Sequence, residues 1–244
     1  PLQGTTISGL LPGVSYNVTV GGGGAGMPKV HPGPTGCFGA DGNISVFNVC
    51  GVENTTKFTS AGGGGGITAP GHPACFTAGI AGGSGGGGCG NAAQPSLGGA
   101  GNTPPTSSGA GNGGAGAPNN ILGTETYAGG GGAGNDERTG GTAGAGGAGG
   151  GGAGATPVTG TNAGTPGTTN TGGGGGGGTW RYGVPCGTCR TSAGGSGGPG
   201  IVILRYPTAL TGTITGPGCN VIACAPCSSK TAKFVASGTI SWTQ

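Results

Sequence analysis

Nine cysteines are the residues of this chain best suited to covalent or metal chemistry. They are Cys37, Cys50, Cys75, Cys89, Cys186, Cys189, Cys219, Cys224 and Cys227. Four of them form two Cys-x-x-Cys pairs, "CGTC" and "CAPC", and paired knuckles of this kind build four-thiolate zinc sites. The candidate metal set is therefore Cys186, Cys189, Cys224 and Cys227. Residues 190–223 separate the two pairs, a longer gap than the usual spacing of about 15 to 20 residues.

Disulfides are the preferred interpretation of the cysteines, with free thiols as the third state. An exposed chain with a weak core gains about 2 to 4 kcal/mol from each loop that a disulfide closes. Cys37 with Cys50, and Cys75 with Cys89, are the expected loop-closing pairs. Because nine is odd, at least one thiol stays unpaired or bonds another chain.

The remaining polar residues predict no enzyme. Acid–base catalysis needs positioned titratable groups in an enclosed site, but the five carboxylates are scattered and both histidines, His31 and His72, precede a proline. The Gly-x-Ser-x-Gly pattern occurs at 82–86 and 194–198, where the glycine content alone explains it. Neither stretch has the strand–turn–helix context of a nucleophile elbow. We therefore expect no catalytic residue and no cofactor.

Aromatic and basic side chains between the glycine runs are the candidates for contact with a partner. They are His31, Phe38, His72, Phe76, Trp180, Arg181 and Tyr182. Trp and Tyr offer rigid amphipathic area, and Arg adds directional hydrogen bonds. A second interpretation is that Trp180 and Tyr182 cap the open end of a glycine scaffold and shield its backbone from water. The eight Lys and Arg residues form no dense run, which argues against nucleic acid, and no apolar stretch approaches the ~20 residues of a membrane span.

The composition excludes a conventional side-chain core as the main source of stability. Gly and Pro supply 72 and 18 of the 244 residues, and only 32% are hydrophobic. Glycine segments lack Cβ atoms, so they approach one another closely and pair their N–H and C=O groups. The runs of four or more glycines lie at 21–24, 62–66, 85–88, 129–132, 149–152 and 172–178. We expect these segments to be extended and hydrogen-bonded side by side.

Collagen is excluded, because alanines in the stretch 140–155 break the strict three-residue glycine register. Separate polyproline-II-like rods remain open; they have three residues per turn and no internal hydrogen bonds, so neighbouring rods supply the partners. At the termini, residues 5–20 predict a strand, a turn at Leu-Pro-Gly and a second strand. The run "IVIL" at 201–204 and the alternation in 231–244 predict further strands. No segment has a sustained helical period.

The order of these segments resembles the glycine-rich domain of bacteriophage tail-fibre and adhesin proteins. The resemblance rests on "VSYNVTVGGGGAG", "FTSAGGGGG", "ETYAGGGGAG", "NTGGGGGGGTW" and, most specifically, "GGSGGPGIVILRYP", and it covers roughly residues 14–210. It implies packed polyglycine-II helices whose loops at the distal end touch a host receptor. The fold class expected is thus irregular and all-β-like: packed polyglycine-II segments, short β-strands at both ends and almost no α-helix.

Three regions and one function follow from this interpretation. Residues 1–20 resemble the last strands of a fibronectin-type-III-like module or an attachment strand, 21–207 form the glycine-rich lattice with its loops, and 208–244 form a β-rich, cysteine-containing extension. We expect a non-enzymatic tail-fibre or tip protein at the virion surface. Its partners would be other fibre subunits, as a homo-oligomer, and a bacterial surface glycan or outer-membrane protein. The alternatives are a purely structural filament subunit and an ice-binding surface.

Overall fold

The computed structural model describes residues 6–28, 39–48, 57–60, 64–66, 86–87, 111–119, 121–123, 125–135, 142–156, 163–179, 192–225 and 228–244. Within these ranges every regular element is a β-strand and no helix occurs. The expected all-β-like fold class is therefore confirmed.

The strands form three antiparallel sheets. Their bounds are β1 (Tyr16–Thr19), β2 (Ser45–Asn48), β3 (Lys57–Ser60), β4 (Ala117–Asn119), β5 (Glu125–Tyr127), β6 (Val202–Pro207), β7 (Thr211–Thr215), β8 (Val221–Ala225), β9 (Ser229–Phe234) and β10 (Gly238–Thr243). A five-stranded sheet has the order β3-β2-β1-β10-β7, a three-stranded sheet has the order β6-β9-β8, and β4 and β5 form a hairpin.

The two larger sheets pack face to face, and we refer to this unit as the β-sandwich. Its core combines Tyr16 and Ile240 of the five-stranded sheet with Tyr206 and Phe234 of the three-stranded sheet. The rings of Tyr206 and Trp242 meet edge to face across the interface, with centroids 5.8 Å apart. Alternate residues point inward, as a half-buried sheet requires. Strands from both ends of the chain thus share one conventional hydrophobic core.

The N-terminal segment differs from the sequence prediction. The structure assigns no strand to residues 6–15, where a first strand was expected; a turn at Pro12–Gly13 leads into β1. The Leu11 N–H donates to the Tyr16 hydroxyl at 2.7 Å, and the Gly13 N–H donates to the Trp242 carbonyl at 2.7 Å. Bonding of a tyrosine hydroxyl to backbone a few residues upstream is the tyrosine corner of β-sandwiches. These bonds hold the segment against β10 without a ladder.

The glycine-rich segments form a lattice of parallel and antiparallel extended rods. The described rods are residues 21–27, 39–43, 64–66, 86–87, 111–116, 128–135, 142–148, 151–156, 163–168, 172–179 and 192–200. Successive bonds between the same two rods are three residues apart: Gly174 and Gly177 donate to Gly129 and Gly132, both at 2.9 Å. A three-residue step is the repeat of polyglycine-II geometry, in which each rod depends on its neighbours for partners. Main-chain bonding between rods therefore replaces a side-chain core here.

The rod at 172–179 is the centre of the lattice, and we call it the central rod. It exchanges main-chain hydrogen bonds with the rods at 64–66, 86–87, 128–135, 151–156, 163–168 and 192–200. Residues 173–179 are all buried. A Cβ added at Gly173, Gly175 or Gly176 would come within 2.1 Å of a main-chain oxygen of another segment, so a side chain has no room at these positions.

The outer rods are buried on one face only. In the rod at 142–148, Gly144 and Gly147 are buried, whereas Thr142, Ala145 and Ala148 are exposed. Residues three apart lie on the same side of a three-residue helix, so the side chains project outward and the glycines face the lattice. The alanines that break a collagen register are thereby accommodated at the surface.

Candidate functional site

The lattice has two distinct ends, one of which is attached to the β-sandwich. The Gly200 N–H donates to the Gly21 carbonyl at 2.9 Å, and the buried Gly21 N–H donates to Ser45 Oγ at 3.0 Å. Gly21 follows β1 closely and Gly200 precedes β6, so the rods continue directly into strands. The start of the central rod is at this end, because the Gly172 N–H donates to the Pro199 carbonyl at 2.9 Å.

The opposite end, which we call the far end, is where several rods stop together. The Ser192 N–H donates to the Thr179 carbonyl at 3.1 Å, which places the last residue of the central rod beside the first residue of the antiparallel rod 192–200. Met27 lies in the same region, since its N–H donates to Gly66 at 3.1 Å and its carbonyl accepts from Gly194 at 3.0 Å. The residues that flank segments 29–38, 67–85 and 180–191 therefore lie at the far end.

A hydroxyl clamp joins the two rods at the root of segment 180–191. Ser192 Oγ accepts from the Thr179 N–H at 2.7 Å and from the Thr179 hydroxyl at 2.9 Å, and both residues are 8% exposed. These bonds fix the separation of the two chain ends from which the segment starts. The sequence analysis did not identify Thr179 or Ser192; the signal available was a small hydroxyl residue at the border of a glycine run.

The predicted contact residues all fall outside the described part of the chain. They are His31, Phe38, His72, Phe76, Trp180, Arg181 and Tyr182. What the structure provides is the position of their neighbours in sequence: Met27, Gly66, Thr179 and Ser192 meet at the far end. Three chain segments that carry these candidates are thus tethered to one end of one rigid scaffold.

The cysteines that the structure describes do not behave as the preferred disulfide interpretation expected. Cys219 and Cys224 are free, exposed thiols, and the other seven cysteines lie outside the described residues. Cys224 lies on β8 directly opposite Lys230 of β9, a position that brings it no second thiol. Neither of these two disulfide candidates therefore forms a disulfide, and the two expected loop-closing pairs lie outside the described residues. Of the candidate zinc ligands only Cys224 is described, and no metal-binding group of His, Cys, Asp or Glu occurs in the described ranges.

Two buried tyrosines have perturbed ionisation. Burial raises the pKa of Tyr127, and Glu125 raises it further through a hydrogen bond from the Tyr127 hydroxyl and through its negative charge. Burial and the proximity of Cys224 raise the pKa of Tyr206, whose hydroxyl has no hydrogen-bond partner among the described residues. Both phenols stay protonated at neutral pH, and each packs at a structural junction. Tyr127 lies on the hairpin strand β5, and Tyr206 lies in the core of the β-sandwich.

The Gly-x-Ser-x-Gly stretch at 194–198 lies inside an extended rod. Its serine, Ser196, accepts a main-chain bond from the Gly167 N–H at 2.8 Å. A nucleophile elbow needs a sharp strand-to-helix turn, which this rod does not form.

No helix within the described ranges is long and apolar enough to cross a bilayer.

Comparison with known proteins assigns the chain to a family. The model of the family described as "Glycine-rich domain" matches residues 2–207, well over half of the 244 residues. No curated protein and no solved structure matches the chain. The matched region contains the rods and the first strands of the β-sandwich. The chain therefore belongs to the glycine-rich domain family.

Proposed function

We propose that this protein is a non-enzymatic fibre or tip protein of a bacteriophage, located at the virion surface, that recognises a molecule on the bacterial surface. The observation that carries the proposal is the convergence of rod ends at the far end. Residues flanking segments 29–38, 67–85 and 180–191 lie there, and these segments hold the seven contact candidates.

The scaffold suits a binding protein whose contacts sit on connections between rods. Loops on a rigid framework are the usual place for recognition residues. In the central rod the backbone is bonded to six neighbouring rods, so its end at Thr179 is held in place without any ligand. A pre-formed anchor lowers the ordering cost of binding.

Binding through a few loops is expected to be weak for one chain and strong for an array. Several copies on one particle raise the effective concentration, so avidity exceeds the affinity of a single site. A bacterial glycan or an outer-membrane protein offers the repeated target that this mode needs. The assay must therefore present the chain in many copies.

The test uses beads coated with the purified chain and a panel of intact bacteria, with attachment counted by flow cytometry. We expect attachment to at least one strain, and its loss in the triple variant Trp180→Ala, Arg181→Ala, Tyr182→Ala. The variant Thr213→Ala, on the exposed face of β7, is the matched control and should attach normally. Attachment that the triple variant leaves intact would contradict the proposed contacts. Absence of attachment to every strain would favour the purely structural filament subunit.

A further inference from the structure

Strand β8 is an open, apolar edge of the β-sandwich. Among the described strands it pairs with β9 alone, so one side of its backbone has no strand beside it. Val221 is 52% exposed and Ile222 is 38% exposed. The only other large hydrophobic residues this exposed in the described ranges are Leu11 and Ile44, so half of the set lies on this strand.

The other outer strands of the β-sandwich carry the features that prevent edge pairing. Proteins protect sheet edges with charged residues, proline or polar side chains. Strand β3 begins with Lys57, β6 contains Arg205 and ends at Pro207, and β7 alternates threonines. The sequence of β8, "VIACA", has neither charge nor proline. Strand β7 also lacks charge and proline but is mainly threonine, so among the four described outer strands β8 is the one that is both uncharged and apolar.

The backbone groups that face this open edge follow from one contact. The Thr231 hydroxyl donates to the Ala223 carbonyl at 3.4 Å, so that carbonyl points towards β9. In an antiparallel ladder, neighbouring residues direct their N–H and C=O groups to opposite sides. The N–H and C=O groups of Ile222 and Cys224 therefore face the open edge.

We propose that β8 is a self-association edge, which a second copy of this chain occupies by antiparallel pairing about a two-fold axis at Ala223. Ile222 then lies opposite Cys224 of the second copy and exchanges two main-chain hydrogen bonds with it, and the symmetric pair adds two more. The three-stranded sheets of the two copies become one six-stranded sheet. Ala223 lies against Ala223 of the second copy as the closer, non-hydrogen-bonded pair.

A second copy fits this edge because the register keeps its lysines apart. Residues directly opposite one another on successive strands form a row across the six-stranded sheet. Lys230 lies opposite Cys224 of its own chain, and the next two residues in that row are Ile222 and Ala232 of the second copy, both neutral. Lys233 lies opposite Val221, and its row continues into Ala225 and Ser229 of the second copy. Like charges therefore never meet across the two-fold axis. An uncharged strand also offers no charge pattern that would select a different protein.

The pairing is non-covalent in this register. Cys224 of the two copies are diagonal neighbours, about 7 to 8 Å apart, whereas disulfides usually join α-carbons about 4.4 to 6.8 Å apart. The dimer is therefore expected in reducing buffer and in the variant Cys224→Ser. This inference does not depend on receptor recognition, because the far end is at the opposite end of the lattice from β8.

The experiment is sedimentation velocity of the full chain in reducing buffer over a range of concentrations. We expect the wild-type chain to dimerise with micromolar Kd. Ala223→Lys and Ala223→Glu each place like charges directly opposite across the axis, and each should weaken dimerisation by at least about tenfold. An equimolar mixture of the two variants should regain the dimer, because opposite charges then face each other. Thr213→Lys adds the same charge to exposed β7 and should dimerise like the wild type.

Three results would overturn the inference. They are a wild-type chain that stays monomeric at the highest soluble concentration, an Ala223→Lys variant that dimerises normally, and a mixture that fails to regain the dimer although both variants are folded. Circular dichroism and thermal unfolding of each variant establish folding, and the mixture measures pairing independently of any loss of stability.

Discussion

Replacing Gly176 by alanine tests the lattice at a crowded position of the central rod. The Gly176 N–H donates to Thr165 at 2.9 Å, and its carbonyl accepts from Gly195 at 2.8 Å. The third direction faces the rod 151–156, where an added methyl group would collide with the carbonyl oxygen of Ala153. That obstacle is main chain held by other rods, so it cannot rotate away as a flexible side chain would.

The loss in the free energy of unfolding can be worked out from the segment that must move. To admit the methyl group, rod 151–156 must shift from the central rod, which stretches the Gly152-to-Gly174 bond at 2.9 Å and the Ala155-to-Gly177 bond at 2.8 Å. Each bond contributes about 1 kcal/mol, and overpacking costs about 1–3 kcal/mol. Replacing glycine reduces the entropy of the unfolded chain, which returns about 0.4–1 kcal/mol. The expected net loss in the free energy of unfolding is therefore about 2 to 4 kcal/mol.

The matched control is Gly22→Ala in the outer rod 21–27. A methyl group there meets nothing closer than Asn43 Nδ2 at 3.8 Å, an ordinary contact. We expect this variant to equal or exceed the wild type by about 0.4–1 kcal/mol. Urea unfolding followed by tryptophan fluorescence and circular dichroism compares the two. If the free energies of unfolding of the two variants agreed within about 0.5 kcal/mol, the lattice would not be held by close backbone packing.

Three further predictions concern the β-sandwich and the hairpin. Ser45→Ala leaves the buried Gly21 N–H without its acceptor and should cost about 1–3 kcal/mol in urea unfolding, whereas Ser237→Ala, which removes an exposed acceptor, should change stability by less than about 0.5 kcal/mol. Burial, and after it the neighbouring Glu125, raises the pKa of Tyr127, so above about pH 10 the phenol keeps its proton in the folded chain and loses it in the unfolded chain. The free energy of unfolding should therefore fall as the pH rises above about 10, and it should fall less steeply in Tyr127→Phe. An unchanged slope in that variant would contradict this assignment. Tyr206→Phe removes a buried hydroxyl that has no hydrogen-bond partner in the described part of the chain, and it should leave the thermal midpoint unchanged or raised; a clear drop would mean that the hydroxyl is bonded in solution.

The sequence indicates in part which rods lie inside. The run 172–178 has no residue other than glycine, and its rod is buried over 173–179. The rod 128–135 is buried throughout as well, although Ala133 in it is 0% exposed, so an inner rod also admits alanine. The rod 142–148 has Thr or Ala at every third position, and those positions are exposed. Which rods become neighbours is not readable, because one glycine backbone offers the same donors and acceptors as another. Rod order is therefore set by the connections and by the β-sandwich.

The β-sandwich was only half predictable. Alternation identified β1 and β10 as strands, but not as partners, although Tyr16 lies opposite Ile240. Pairing across so long a stretch depends on how the whole chain folds between them. The strand expected before Pro12 is absent, because a bond to the Tyr16 hydroxyl and a main-chain bond to Trp242 hold that segment instead of a ladder. For the candidate site, the sequence supplied the contact candidates, which stay a prediction, and the structure contributed the shared end at which their flanking residues lie.

The three-residue step of the rods has a consequence for how such chains change in length. Adding or deleting whole triplets in an outer rod moves its end by about 9 Å per triplet and returns every remaining residue to the same side. Adding or deleting any other number of residues turns the outward-facing alanines towards the neighbouring rods. Where an outer rod buries glycine alone, as the rod 142–148 does at Gly144 and Gly147, a triplet change needs no compensating substitution elsewhere. A chain built in this way can therefore change in reach and in loop sequence while its inner rods stay the same.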